Sequence, residues 1–203
     1  MAILLMRHGP TQLNNGDASK DRIRAWLDVP LSDEGHDVAQ QLAADSKQFP
    51  LADLLSSDLI RAKQTTATVQ QAHPDVPASA HAELRPWNLG AFSGQPTKIV
   101  MPFVKDLVDH PSVKAPDGES FHDFMARFVP FITPLLHDDQ LHGVVTHIRN
   151  IKAVEALIAG KGDLDRKTWD QVPAVDPGGI VYADATRFQP LAKESTASAG
   201  IGS

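Results

Sequence analysis

The chain has 203 residues, no cysteine, and 19 basic against 25 acidic residues, which give a formal net charge of −6. Its 42 % hydrophobic and 22 % charged residues are typical of a soluble globular domain and exclude disordered, fibrous and coiled-coil proteins. The absence of cysteine excludes disulfide scaffolds, thiolate zinc sites and cysteine nucleophiles. The acidic balance, without a basic run, argues against a nucleic-acid partner.

An apolar run over residues 1–6 opens the chain and stops abruptly at Arg7. It is shorter than the roughly 7–15 residues of a signal h-region or the roughly 20 of a membrane span, so we expect a cytoplasmic protein that does not bind membranes. A continuous apolar run is typical of a strand buried on both faces, and a second such strand is predicted over 51–55. Between them Ser32 caps a predicted helix.

The remaining elements alternate between helices and strands. Ser57 or Asp58 is predicted to cap a helix that ends near residue 71, and Pro130 and Pro134 are predicted to kink or break a later helix over 120–137. The other predicted elements are a strand over 78–82, a glycine-rich turn over 87–94, a helix over 98–109, a strand over 141–147, a helix over 149–159, and strands over 178–183 and 188–191.

This alternation predicts an α/β fold, a three-layer α/β/α domain with a mostly parallel central sheet. We expect one domain over residues 1–192, in which about 94–118 form an inserted helical cap over one end of the sheet. The small polar residues of 193–203 predict a disordered tail.

Basic and imidazole side chains follow three of the predicted strands, at the edge where open α/β sheets bind ligands. Taken singly, each is also compatible with a surface turn, a solvated charge or a structural histidine. Considered together, they indicate a phosphate site. The guanidinium groups of arginines can donate paired hydrogen bonds to a tetrahedral oxyanion, and a neutral imidazole can attack phosphorus. The residues are Arg7 and His8 after the first strand, Arg61 beyond the second, and His147 after the strand that begins at 141.

The motifs around these residues resemble those of the histidine phosphatase superfamily, which has the phosphoglycerate mutase-like fold. The resemblance covers most of the chain, and the motifs occur in the family's order. They are Leu5-Met6-Arg7-His8-Gly9-Pro10-Thr11 with Asn14, Trp26-Leu27-Asp28-Val29-Pro30-Leu31-Ser32-Asp33-Glu34-Gly35, Ser56-Ser57-Asp58-Leu59-Ile60-Arg61-Ala62-Lys63-Gln64-Thr65, Pro116-Asp117-Gly118-Glu119-Ser120 and Val144-Val145-Thr146-His147.

The resemblance implies a phosphohistidine mechanism with no metal and no cofactor. His8 would be the nucleophile, and water would then release its phosphoryl group. Arg7, Arg61 and His147 would hold the phosphoryl oxygens, where phosphoryl-transfer enzymes stabilise developing charge. Asn14 would add a donor, and Thr11 of the same motif is a candidate substrate contact.

The sequence departs from the family pattern at the general acid. In the family this is usually a Glu four residues before the glycine of the glycine-rich turn, and counting back from Gly90 gives Pro86. In the other branch of the family the acid directly follows the second histidine, and this chain has Ile148 there. The same Ile148 also replaces a glycine that is common at this position. Pro10 also stands where a Glu is frequent.

We therefore consider Glu119 as the first candidate acid, although it is equally compatible with a helix-start or phosphate-loop role. Glu83, expected to point away in an extended segment, and Asp117 are weaker candidates. A third hypothesis is that no acid is needed, which restricts efficient hydrolysis to good leaving groups such as acyl phosphates, phosphoramidates and pyrophosphates.

Substrate specificity is predicted to involve Arg24 and Arg85, and Arg149 is a further basic residue near the predicted site; solvated surface charge is an equally good interpretation for each. The favoured function is a metal-independent phosphatase acting on a phosphate monoester or related phosphorylated small molecule, as a monomer or homodimer. The alternatives are a non-catalytic phosphate-binding or regulatory protein on the same fold, and, less favoured, a mutase-type phosphotransferase.

Overall fold

The computed structural model describes residues 2–14, 21–160 and 175–191. In these residues six strands form one sheet in the order β3-β2-β4-β1-β5-β6. The strands are β1 (Ala2–Arg7), β2 (Asp53–Ser57), β3 (Ala78–His81), β4 (Leu141–Thr146), β5 (Ile180–Ala183) and β6 (Phe188–Pro190). The first four are mutually parallel, whereas β5 runs antiparallel to both β1 and β6. The mostly parallel α/β sheet is thus confirmed.

Helices cover both faces of this sheet. They are α1 (Asp33–Ser46), α2 (Ile60–Ala72), α3 (Thr97–Asp109), α4 (Phe121–His137) and α5 (Ile148–Ile158). Alternate residues of β1 divide between two cores, as the strand period requires. Leu4 and Met6 belong to the core formed with α1 and α2, whereas Ile3 and Leu5 belong to the larger core formed with α3, α4 and α5. The result is the expected three-layer arrangement.

Side-chain caps begin two of the helices. The Ser32 hydroxyl accepts a hydrogen bond from the Gly35 amide at 3.1 Å, as predicted, and Ser120 forms a reciprocal capping box with Asp123. The cap predicted for α2 is wrong, because β2 continues through Ser57 and Leu59 occupies the N-cap without a side-chain hydrogen bond. The amide of Ile60 instead donates to Oδ1 of Asp28 at 2.6 Å, from a distant loop.

Of the kink or break predicted in α4, the break is wrong, since the helix runs through both Pro130 and Pro134. Each proline removes one backbone donor but has a φ compatible with a helix. The apolar residues at four-residue spacing, Phe124, Phe128, Ile132 and Leu136, are all buried in the larger core. Their burial offsets the lost hydrogen bonds.

Within the described ranges, no helix has both the length and the apolar character that a bilayer crossing requires. The predicted tail over 193–203 lies outside those ranges, so its disorder remains a prediction.

Candidate active site

A cavity of about 220 Å³ opens beside the carboxyl ends of β1 and β4, and the four residues predicted at strand ends all line it: Arg7, His8, Arg61 and His147. Arg7 ends β1 and pairs in register with Thr146, the last residue of β4. The backbone amide of His8 donates to the Thr146 carbonyl at 3.1 Å. The two strands therefore bring the imidazoles of His8 and His147 side by side, with ring centroids 5.0 Å apart.

The chain leaves β1 through Gly9, which passes against the first turn of α1. A Cβ atom placed on Gly9 would lie 2.4 Å from the Gly35 carbonyl oxygen, closer than any side chain can approach. The Gly9 amide lies 3.3 Å from Oγ1 of Thr65 in α2. Glycine is thus required after His8 by this close backbone approach.

The position of one proton on His8 follows from its neighbour. Nδ1 lies 2.6 Å from the Gly9 carbonyl oxygen, which can only accept, so Nδ1 carries the hydrogen and Nε2 keeps a lone pair. Burial, followed by the charges of Arg61 and Arg7, holds the pKa of His8 well below its usual value. His8 is therefore a neutral imidazole at pH 7, as a nucleophile requires.

His147 shares this environment. Burial lowers its pKa well below the usual value, with further contributions from Arg61 and His8. Its Nε2 atom is buried and has no hydrogen-bond partner among the described residues. A neutral imidazole with this atom protonated can donate to an anion bound beside His8.

The two arginines are buried, and neither has a carboxylate within 4.0 Å among the residues the structure describes. Arg61 donates through its terminal nitrogens to the Leu27 carbonyl at 2.7 Å and the Ala25 carbonyl at 2.8 Å, and Arg7 donates to the Val175 carbonyl. Burial lowers the pKa of each arginine to about 10, so both stay charged at pH 7. The Nε atom of each is buried and finds no partner in the described part of the chain.

Two other predicted contacts lie outside the cavity lining. Oδ1 of Asn14 accepts hydrogen bonds from the backbone amide of Thr11 at 3.0 Å and from its hydroxyl at 3.1 Å. These bonds stabilise a turn directly after the nucleophile motif. The predicted substrate contacts of Thr11 and Asn14 therefore remain predictions.

The structure does not support Glu119 as the general acid. Its carboxylate accepts hydrogen bonds from Nε of Arg127 at 3.1 Å and from the Asn88 amide at 3.0 Å, and it does not line the cavity. Asp117 is exposed in a turn with a positive φ, and Glu83 is exposed in a short 3₁₀ turn rather than an extended segment. None of these three carboxylates lines the cavity.

The two arginines predicted to bind substrate have different surroundings. Arg85 forms a bidentate ion pair with Asp58, at 2.7 and 2.5 Å, and stacks over Trp26 without reaching the cavity, which corrects its predicted role. Asp58 raises the pKa of Arg85. Arg24 does line the cavity, where it pairs with Asp21 at 3.1 Å.

Pro86 lines the cavity close to these groups, and its carbonyl accepts a hydrogen bond from Nε1 of Trp26 at 2.7 Å. Arg149 and Lys152, one turn apart at the start of α5, also line the cavity, as do Thr97 and Met101 of α3. Sequence analysis missed Lys152, Asp21 and the two α3 residues. The three-residue spacing from Arg149 to Lys152 was the available signal for Lys152.

No cluster of three or more His, Cys, Asp or Glu side chains suited to a metal ion occurs in residues 2–14, 21–160 and 175–191.

Comparison with known proteins places the chain in a family. The sequence profile of the histidine phosphatase superfamily, branch 1, matches residues 3–189. The chain is 35 % identical over 72 residues to the probable phosphoglycerate mutase GpmB of Escherichia coli, a match that covers 36 % of this chain and 32 % of that protein. The match thus spans only about a third of the curated relative.

Solved structures match over a much larger share of the chain. A phosphoglycerate mutase from Thermus thermophilus is 27 % identical, has a TM-score of 0.70, and is matched over 95 % of this chain and 98 % of that one. A mycobacterial glucosyl-3-phosphoglycerate phosphatase shares the fold, with a TM-score of 0.74, 21 % identity, and coverage of 93 % and 96 %. With a family match from the first strand to the last, this chain belongs to branch 1 of the histidine phosphatase superfamily.

Proposed function

We propose that this protein hydrolyses a phosphorylated small molecule, a phosphate monoester or related compound, through a phosphohistidine on Nε2 of His8. The observation that carries the proposal is the arrangement around that atom. A neutral imidazole with Nδ1 fixed as a donor lines the same cavity as Arg7, Arg61 and His147. Each of these three residues has a buried nitrogen atom without a partner among the described residues: Nε of Arg7, Nε of Arg61 and Nε2 of His147. A tetrahedral dianion offers acceptors for all three.

In the proposed reaction, the Nε2 lone pair attacks phosphorus and the bond from phosphorus to the leaving-group oxygen breaks. Arg7, Arg61 and His147 stabilise the charge on the non-bridging oxygens, as preorganised donors do in other phosphoryl transfers. Water then attacks the phosphohistidine and the P–N bond breaks. The water supplies the fourth oxygen of inorganic phosphate and releases a proton to solvent, and the electron pair of the P–N bond returns to Nε2 of His8.

The cavity wall supports a restriction on the leaving group. Pro86 carries no proton to transfer, and the carboxylate that does line the described cavity, Asp21, is held in an ion pair with Arg24. General acid help is typically worth about 10²- to 10⁴-fold. We therefore propose that aryl phosphates, acyl phosphates and pyrophosphates are hydrolysed far faster than alkyl phosphates, because their leaving groups depart without being protonated.

The second candidate function is a non-catalytic phosphate-binding protein, and the observation that favours it is the same proline. A binding protein has no use for a nucleophile with a fixed tautomer, so we favour the enzyme. A mutase is the third candidate, and it differs in transferring the phosphoryl group to an organic acceptor instead of to water.

The test is phosphate release from aryl, alkyl, acyl and pyrophosphate substrates in EDTA, for the parent, His8→Ala and the exposed control His110→Ala. We expect release by the parent and the control, none by His8→Ala, and an acid-labile phosphoryl group on the parent. Undiminished release by His8→Ala would overturn the proposal. Binding of phosphate without turnover would support the binding protein, and isomerisation of a phosphoglycerate would support the mutase.

A further inference from the structure

One side chain outside the cavity lining connects the nucleophile segment to the helix that carries Arg61. Thr65 is fully buried in α2, and its hydroxyl donates to the Arg61 carbonyl at 2.8 Å. The same oxygen accepts a hydrogen bond from the Gly9 amide at 3.3 Å. Because Thr65 does not line the cavity, a substrate bound there does not reach it. Its hydroxyl therefore bonds the residue after His8 to the first turn of α2.

The peptide groups of Gly9 need an external hydrogen bond to keep their orientation. Glycine has the widest range of backbone conformations, so the residue itself fixes neither its amide nor its carbonyl. That carbonyl lies 2.6 Å from Nδ1 of His8 and so determines which imidazole nitrogen carries the hydrogen. The Thr65 hydroxyl is the acceptor that the described residues offer to the Gly9 amide. Without it a buried amide is unpaired, and Gly9 gains free energy by turning toward another acceptor.

The next residue shows what a threonine of α2 does without this contact. Thr66 is also buried, and its hydroxyl donates to the Ala62 carbonyl at 2.9 Å, four residues back, as the hydroxyl of Thr65 does to Arg61. Both side chains thus make the same bond within the helix. Among the described residues, the bond from Gly9 distinguishes Thr65 from Thr66, and helix formation does not account for it.

We propose that Thr65 is a positioning residue for the phosphoryl transfer: its hydroxyl fixes the Gly9 peptide, which keeps the hydrogen of His8 on Nδ1 and the lone pair on Nε2. The proposal rests on the proposed function, because a fixed tautomer matters only if Nε2 attacks phosphorus. With the hydrogen on Nε2 instead, the imidazole has no lone pair there and cannot form the P–N bond.

The kinetic test compares the same isosteric change at the two threonines. Thr65→Val should lower kcat for an aryl phosphate about 10- to 100-fold, because fewer His8 side chains have the reactive tautomer and alignment. KM and the inhibition constant of inorganic phosphate should change less than about threefold, since the donors to the phosphate are retained. Thr66→Val should retain the parent kcat, and Thr65→Ser, which keeps the hydroxyl, should retain most of it.

A second readout reports the tautomer without any turnover. In protein labelled with ¹⁵N at histidine, long-range proton–nitrogen correlation spectra distinguish an imidazole protonated at Nδ1 from one protonated at Nε2. The signals of His8 are identified by their absence from His8→Ala. We expect protonation at Nδ1 in the parent and in Thr66→Val, and a shift toward Nε2 in Thr65→Val.

Three results would overturn the proposal. The first is equal kcat in Thr65→Val and Thr66→Val, and the second is a His8 tautomer that Thr65→Val leaves unchanged. The third is a weaker inhibition by phosphate with the parent kcat, because the hydroxyl would then act through Arg61. If Thr65→Val does not fold, Thr65→Ala and Thr66→Ala form the matched pair, since alanine favours a helix more than valine does.

Failure of the proposed function has a different signature, which is a parent that releases no phosphate from any substrate. The tautomer experiment then decides alone. A His8 tautomer that depends on Thr65 but not on Thr66 supports the positioning role in a protein that binds phosphate without turnover. The same tautomer in the parent and in both variants overturns it.

Discussion

Arg61 and Arg127 both make several hydrogen bonds, but they are held in opposite ways. Arg127 donates to both carboxylate oxygens of Glu119 and to backbone carbonyls that include those of Glu83 and Pro86. Within the described residues, Arg61 donates to carbonyls alone and keeps a buried Nε atom without a partner. The first arrangement neutralises the cation within the protein and positions a loop. The second leaves the charge for an anion, and so the partner rather than the residue type distinguishes a structural arginine from a binding one.

The sharpest test of this comparison is to remove one arginine that lines the cavity and one that is paired with a carboxylate outside it. Arg61→Gln should lower kcat/KM for the best substrate about 10²- to 10³-fold, because a preorganised donor to the transition state is lost. Arg85→Gln, which breaks the ion pair with Asp58 outside the cavity, should lower it less than about tenfold, since a partly exposed pair contributes little. Steady-state kinetics measure both, and equal losses would refute the distinction.

Pro86 lies at the boundary between the two regions: it lines the cavity, and its carbonyl accepts hydrogen bonds from Trp26 and Arg127. Pro86→Glu should raise kcat for alkyl phosphates about 10- to 100-fold, because it supplies a proton donor, and should change aryl phosphate hydrolysis little. Pro86→Gln has the same size without the proton and serves as the control. A similar rise in kcat in both variants would show that the lack of a proton donor does not limit alkyl phosphate hydrolysis in the parent.

The last expected effect is on stability and its dependence on pH, with no change in the reaction itself. His8 and His147 are buried with pKa values well below that of an unfolded histidine, which is about 6.5. Below pH 6.5 the unfolded state binds more protons, so the free energy of unfolding falls as the pH falls, by up to about 1.4 kcal/mol per pH unit for each histidine. Urea unfolding between pH 7.5 and 5, without phosphate, measures this slope.

The matched variants for the pH experiment are His147→Gln and the exposed His110→Gln. His147→Gln should have a shallower slope than the parent, because one of the two buried imidazoles is gone. His110→Gln should retain the parent slope. Identical slopes in all three proteins would mean that the cavity histidines do not dominate the acid sensitivity.

Much of the fold and the centre of the site were predictable from sequence. An apolar strand that ends at a basic or imidazole residue fixes both the sheet and its ligand-binding edge, and this placed Arg7, His8 and His147 correctly. Their convergence required only that the strands be parallel and adjacent. The three-layer α/β/α class followed from the alternation of elements.

The rest depended on long-range partners that the local sequence does not encode. The local sequence does not distinguish Arg24 from Arg85 as a substrate contact. In the structure Arg24 lines the cavity, whereas Arg85 forms an ion pair with Asp58. The sequence favours Glu119 as the acid, but in the fold its carboxylate forms an ion pair with Arg127, eight residues further along the chain. The start of α2 depends on Asp28, which lies 32 residues from the amide it caps. Helix α4 remains continuous through two prolines because its apolar face is buried, and helix propensities of the local sequence do not reveal this burial.

The position of β1 in the centre of the sheet has a consequence for how the protein is made. Of the six described strands, β1, which carries Arg7 and precedes His8, is synthesised first. Its neighbours in the sheet are β4, where Leu141 pairs with Ala2, and β5, where Ala183 pairs with Ile3. At about 5–20 residues per second, the nucleophile segment waits roughly 10 to 40 seconds for its last neighbour. Pairings this distant in sequence also slow folding. During that interval an apolar strand has neither of its two neighbours, so the segment that precedes the nucleophile stays unpaired until nearly the whole domain has been made.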